Sequence, residues 1–185
     1  DFDLALHLGD YIYEYQRGNY PSTKDAVAGR LIEPANEIVS LADYRLRYAS
    51  YRADPQLQAM HANFPCIPTT DDHESANDSW EGGAQNHTPD EGDWSARRNA
   101  AMQVWREWLP VGEQPWKAYD FGDLGSYFRT DTRHSAHKAL LGRRNDACAR
   151  SRKGACRIPR WGLAGPCLHH DGDGTGKLAL PPICP

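Results

Sequence analysis

The chain has 185 residues and a formal charge of −4, which is room for one domain or one domain plus a tail. Its mean hydropathy is −0.75, and no apolar run approaches the roughly 18 residues of a membrane span, so an integral membrane protein is excluded. Six Trp within 10% aromatic residues argue against a disordered chain, and a pI near 6.1 gives no basis for nucleic-acid recognition.

Asp3-Leu4-Ala5-Leu6-His7-Leu8 reads as a short buried strand closed by Gly9-Asp10. The polar, Gly- and Pro-containing stretch 16–38 reads as a loop. Leu41, Tyr44, Tyr48 and Tyr51 recur at helical spacing and predict a helix from Leu41 to Tyr51. Asp54 as cap and Pro55 at the first helical position predict a second helix running to about Asn63, with Leu57, Met60 and Phe64 inward. Cys66-Ile67-Pro68-Thr69-Thr70 predicts another strand, which leads into Asp71-Asp72-His73-Glu74. Residues 75–92 form a polar loop. Asp93 then caps a third helix ending at Leu109, with Trp94, Ala101, Trp105 and Trp108 along one side. Two strands follow, at about Lys117–Phe121 and Ser126–Thr130, before Asp131-Thr132-Arg133. Strands alternating with helices predict an α/β protein.

The averages hide a break near Arg133. Residues 1–133 hold 12 of the 21 Lys+Arg and 22 of the 25 Asp+Glu, a balance of −10. Residues 134–185 balance at +6, lack Glu, and keep one aromatic residue, Trp161, with four of the five Cys: Cys148, Cys156, Cys167 and Cys184. The expectation is a basic tail unrelated to the first segment. Such a composition arises when a GC-rich gene is read in a shifted frame, and it offers little apolar surface against the backbone ordering cost of roughly 1–2 kcal/mol per residue. A short helix near Ala136–Arg144 and unpaired cysteines are expected there. Reading the other two frames after codon 133 checks the idea. One of them should hold an open continuation, whereas a compact tail with well-formed disulfides and no open continuation in either frame would sink it.

Two places carry chemistry. Asp10 follows an apolar strand and a glycine, so its carboxylate faces the crevice at the strand's C-terminal end, where α/β proteins bind ligands; a turn aspartate is the plain alternative. Tyr13, three residues on, would share a face with Asp10 in a helical turn, and a phenolate beside a carboxylate suits Fe³⁺. Asp71-Asp72-His73-Glu74 gathers three carboxylates and an imidazole, which repel unless solvated or held by a cation. Because both motifs follow short apolar strands, the two should lie side by side in one parallel sheet, and Asp10, Tyr13, Asp72 and His73 should converge. In the tail, Asp171-Gly172-Asp173-Gly174-Thr175 imitates the start of a Ca²⁺ loop without its closing Glu. His169-His170 near Cys167 lacks zinc-ligand spacing.

The blocks His7-Leu8-Gly9-Asp10-Tyr11-Ile12-Tyr13-Glu14-Tyr15, Leu41-Ala42-Asp43-Tyr44-Arg45, Arg47 to Pro55, Asp71-Asp72-His73-Glu74 and Asp131-Thr132-Arg133 stand in the order seen in PhoD-like alkaline phosphatases, which this chain resembles. That family belongs to the calcineurin-like metallophosphoesterases, and the resemblance covers roughly residues 1–133. It implies a partial metallophosphoesterase fold, incomplete at both ends, with mixed β-sheets packed face to face and flanked by helices. It implies hydrolysis of phosphomonoesters and phosphodiesters by metal-activated hydroxide, with Fe³⁺ and Ca²⁺ as cofactors and a phosphate ester as substrate. By position Asp10 matches a metal-bridging aspartate, Tyr13 an iron-binding tyrosinate and Asp72 a metal ligand. His73 matches the residue that contacts the phosphate or protonates the leaving group. The resemblance also implies a periplasmic or secreted parent protein, although no signal segment opens this chain.

The pattern departs from the family in places. The family's first aspartate and an iron-binding cysteine come from a strand before Asp1, and its last ligands come from a later Gly-Asp-x-His segment. The chain alone is therefore expected to be inactive. A non-catalytic module holding at most one weak cation is the alternative, and a complete small protein with a disulfide-linked tail is the third reading. Thr70 and Ser75 replace a usual Trp and a usual apolar residue, and are expected to weaken local packing.

Overall fold

The computed structural model describes residues 2–136 apart from 21, 110 and 115. The expectations about the tail cysteines, the Ca²⁺-like loop, the His169-His170 pair and the Ala136–Arg144 helix lie outside the described residues, except for Ala136 itself. In chain order the elements are β1 (Ala5–His7), α1 (Leu41–Arg52), α2 (Pro55–Asn63), β2 (Cys66–Pro68), α3 (Trp94–Trp108), β3 (Lys117–Asp120) and β4 (Ser126–Arg129). A single 3₁₀ turn, Pro89–Glu91, interrupts the long loop before α3.

Each helix starts where its cap allows. Ser40 accepts from the Asp43 backbone N–H while the Asp43 carboxylate accepts from Ser40, so two end donors of α1 are satisfied reciprocally. Asp54 accepts from the backbone N–H groups of Gln56 and Leu57, and Pro55, which has no N–H to satisfy, fits behind it. Asp93 does the same for α3 through Ser95.

The helices α1 and α3 enclose the core. Tyr44 and Tyr48 of α1 are fully buried against Ala101, Val104 and Trp105 of α3, with Tyr11, Ile12, Ile38 and Leu109 closing the cluster. Tyr48 stacks between Tyr11 and Trp108 at 5.9 and 6.4 Å between ring centroids. The helix α2 buries no residue completely.

The strands form two separate pairs. β1 and β2 are parallel, with Ala5 opposite Cys66, Leu6 opposite Ile67 and His7 opposite Pro68. β3 and β4 form an antiparallel hairpin. Helices with small sheets agree with an α/β class, and the parallel pairing of the first two strands agrees with the expectation from their motifs. Among the described residues no larger mixed sheet is present. No helix there is long and apolar enough to cross a membrane.

Two fully buried side chains are arginines, and the periodicity of apolar residues gives no sign of either. Arg47 lies on the same face of α1 as Tyr44 and Tyr51. It donates to the carbonyls of Tyr13, Tyr15, Glu33, Pro34 and Asn36, and so ties the 13–36 loop to the helix. Arg97 of α3 donates to the Tyr44 hydroxyl at 3.2 Å and to Glu37 at 3.0 Å. A guanidinium carries five N–H donors, enough to satisfy several loop carbonyls from one position.

Candidate metal centre

The parallel register of β1 and β2 brings the loops after both strands to the same end of the pair. Gly9 makes the close approach possible. It has φ +109°, and a Cβ built on it would lie 2.5 Å from the Asp71 Cβ and 2.6 Å from the Asp71 nitrogen. Asp10 follows in the left-handed region at φ +57°, a conformation that aspartate tolerates better than most residues. Glu74, fully buried, accepts the Tyr11 N–H at 2.5 Å with one oxygen and the Asp71 N–H at 2.7 Å with the other. One carboxylate thus clamps the two strand ends. Burial pushes the Glu74 carboxyl up to about 7 against these hydrogen bonds.

At this end Asp10, Asp72 and His73 each offer one donor atom, and the three atoms lie within 4.8 Å of one another. The Tyr13 hydroxyl donates to Asp10 Oδ2 at 3.3 Å, and its ring lies 4.4 Å from the His73 ring. All four expected residues therefore converge, though about sixty residues separate the pairs. The route by which Tyr13 arrives differs from the expected helical turn, because residues 10–13 form a bend. The left-handed Asp10 turns the chain so that the tyrosine comes back over the carboxylate.

The electrostatics are those of an acidic site that Arg133 and His73 balance only in part. Asp10 Oδ1 is buried without a hydrogen-bond partner. Burial, with the nearby charges of Asp72 and Asp71, raises the Asp10 carboxyl against the lowering effect of His73. Burial and the Asp10 carboxylate raise the Tyr13 phenol strongly. Asp72 is held by the Asp78 N–H on Oδ2 at 2.6 Å and by Arg133 at 3.3 Å from Oδ1. An orphaned buried carboxylate oxygen among hard oxygen donors fits a small, highly charged cation.

Four residues around the site have no role assigned from the sequence. Glu14 Oε2 lies 2.7 Å from His73 Nδ1. Glu74 clamps the loops. Asp71 joins Asp72 in receiving Arg133, whose Nε lies 2.5 Å from Asp71 Oδ1. All four stand inside recognised blocks, but a buried carboxylate that binds backbone N–H groups leaves no mark in spacing or periodicity.

The packed body continues past Arg133. His134 is buried, its Nε2 lies 3.0 Å from the Ser75 hydroxyl, and the Ala136 carbonyl accepts the Glu81 N–H at 3.0 Å. Ser75 is fully buried and also donates to the Asp72 carbonyl at 3.1 Å. Its polar side chain is satisfied within the buried cluster. Asp131 accepts from the backbone N–H groups of Arg133 and His134, both at 3.0 Å, and so orients Arg133 toward the acid pair. Burial alone would raise the Asp131 carboxyl, but the His134 imidazole and these N–H groups outweigh it and hold it at about 2. A depressed carboxyl stabilises the fold above its unfolded value near 3.9, and that stabilisation is lost as the pH falls toward the folded value. Asp131→Ala is expected to cost up to about 2 kcal/mol above about pH 5, with the difference from the parent shrinking in acid. Urea denaturation across that range measures it, and a pH-independent difference would show that Asp131 acts through packing alone.

The model of the PhoD-like phosphatase family matches residues 1–157, beyond the compositional break near Arg133. The chain belongs to that family. It is 38% identical over 144 residues to alkaline phosphatase D of Bacillus subtilis (strain 168), an alignment covering 71% of this chain and 23% of that protein. It also matches a solved structure of PhoD with a TM-score of 0.63 and 34% identity, over 73% of this chain and 27% of that one. The chain thus spans about a quarter of the length of these relatives.

Proposed function

We propose that this chain is the part of a metal-dependent phosphatase that carries Asp10, Tyr13, Asp72 and His73, and that the parent protein hydrolyses phosphomonoesters or phosphodiesters. The observation that carries the reading is the unpartnered, buried Asp10 oxygen inside a cluster whose donor atoms lie within 4.8 Å of one another. Asp10, Tyr13 and Asp72 would hold Fe³⁺ and Ca²⁺. The chemistry such a cation would supply there is a lowered pKa of bound water and charge neutralisation on the phosphoryl oxygens. His73 stands beside this point with its side chain only 13% exposed, close enough to contact a phosphoryl oxygen or hand a proton to the leaving oxygen. Arg133 contributes a cation between Asp71 and Asp72 and keeps their carboxylates from swinging into solvent. In the parent, β1 and β2 would belong to a mixed sheet of a four-layered fold. Family membership supports a phosphate ester as substrate and an exported parent.

Titration with Fe³⁺ tests the site. Binding should give a visible phenolate-to-iron charge-transfer band that disappears in Tyr13→Phe. Asp10→Asn and Asp72→Asn should each weaken binding more than tenfold, since even changes to groups behind metal ligands cost about 10–100-fold. A colourless complex, or binding indifferent to both aspartates, would overturn the assignment.

The chain alone should turn over p-nitrophenyl phosphate negligibly. Fixing two ions takes more ligands than these residues supply, and the remainder is expected from family segments outside this chain. Turnover abolished by His73→Ala would show that the site is already sufficient.

A further inference from the structure

Glu14 is fully buried four residues after Asp10. Its Oε1 accepts the Asn77 backbone N–H and the Asn86 side-chain amide, both at 2.7 Å, while Oε2 lies 2.7 Å from His73 Nδ1. The Asn86 amide is also 3.1 Å from Glu37, which Arg97 holds at 3.0 Å, so the group that fixes Glu14 is itself anchored in the helical core. Two N–H donors and one imidazole nitrogen converge on one carboxyl group. A carboxylate only accepts, and both N–H donors on Oε1 are already placed, so the hydrogen in the Oε2–Nδ1 contact comes from the ring. The rings of Tyr13 and Tyr15, 4.4 and 5.6 Å from that of His73, restrict its rotation.

We propose that Glu14 is a positioning residue that holds neutral His73 in the Nδ1–H tautomer, so that Nε2, with its lone pair free, is the nitrogen presented to Asp10 and Asp72. Nε2 lies 4.0 Å from Asp72 Oδ2. Free imidazole side chains in water favour the opposite tautomer, with the proton on Nε2. The choice is made by the partner of the other nitrogen. The same carboxylate would stabilise the imidazolium when His73 carries a second proton. The use of this arrangement rests on the phosphatase reading, but the tautomer itself does not.

The test is a two-bond ¹H–¹⁵N correlation spectrum of the full ¹⁵N-labelled chain. It is recorded without metal or substrate, on the alkaline side of the imidazole titration, so its outcome is independent of whether the chain is a phosphatase. His73 should show a protonated Nδ1 and an unprotonated Nε2. In Glu14→Gln the amide oxygen stays where the Asn77 and Asn86 donors converge, and the amide NH₂ turns toward His73. Nδ1 must then accept, and the ring should invert to the Nε2–H form. In Glu14→Ala the ring should return to the preference of free histidine, with Nε2–H the major form. A wild-type His73 in the Nε2–H form, or a folded Glu14→Gln chain that keeps Nδ1–H, would overturn the proposal. If neither variant folds, the wild-type spectrum decides alone.

Discussion

Arg47→Met should abolish the cooperative unfolding transition of this chain. The guanidinium is fully buried and serves five carbonyls, those of Tyr13, Tyr15, Glu33, Pro34 and Asn36. Methionine fills similar space but donates nothing. Each buried acceptor left unsatisfied costs about 1–3 kcal/mol. Glu33 and Asn36 are exposed enough to turn to water, but the remaining three acceptors, at several kcal/mol together, take a large part of the roughly 5–15 kcal/mol that holds a typical domain together. The loss would fall on the 13–36 loop, whose carbonyls have this one side chain in common, and through Tyr13 and Glu14 on the site. Arg47→Lys should do less damage, because an ammonium still supplies three donors, though without the planar fork. Near-ultraviolet circular dichroism of the Tyr and Trp core, followed through a thermal melt, measures both. An Arg47→Met chain that melts within a few degrees of the parent would mean that the loop finds other partners or water.

Gly9→Ala should separate the two halves of the site. The new methyl group would lie 2.5 Å from the Asp71 Cβ and 2.6 Å from the Asp71 nitrogen, and a backbone atom cannot move aside as a flexible side chain can. Overpacking costs typically about 1–3 kcal/mol, and holding a residue with a Cβ at φ +109° adds roughly another 1–3 kcal/mol. Relief comes most easily by parting β1 from β2 at their C-terminal ends, which moves Asp10 away from Asp72. Stability and Fe³⁺ binding should therefore fall together. Gly29→Ala is the control: its φ is +82°, but nothing lies within 4 Å of the added carbon, so it carries backbone strain without the clash. If both variants bind iron as the parent does, close packing at Gly9 is not what holds the site together.

Much of this architecture is legible in the order of residues along the chain. The expected helix bounds agree with the observed ones within one residue, because Ser40, Asp54-Pro55 and Asp93 are local start signals that act through neighbouring backbone N–H groups. The expected strands fall in the right places, but β1 and β2 are two or three residues shorter than expected, since the ladder ends as the chain turns into the loops. The convergence of Asp10 with Asp72 and His73 is legible too, since a charged residue directly after an apolar strand has only the sheet's end to occupy. Tyr13 reaches its expected place by a different route, because the left-handed turn at Asp10 follows a glycine packed against Asp71, far along the chain.

The family, the order of the elements and the residues that meet at the strand ends can all be read from local caps, apolar spacing and motif blocks. Which charged groups are buried depends instead on the folded arrangement. Nothing in the chain marks Arg47, Arg97, Glu14 or Glu74 as buried, yet all four are enclosed and hydrogen-bonded to groups brought from elsewhere in the chain. The reason is that burial of a charge is favourable only when distant donors or acceptors arrive together to replace water, and that arrival is a property of the folded chain rather than of any segment of it.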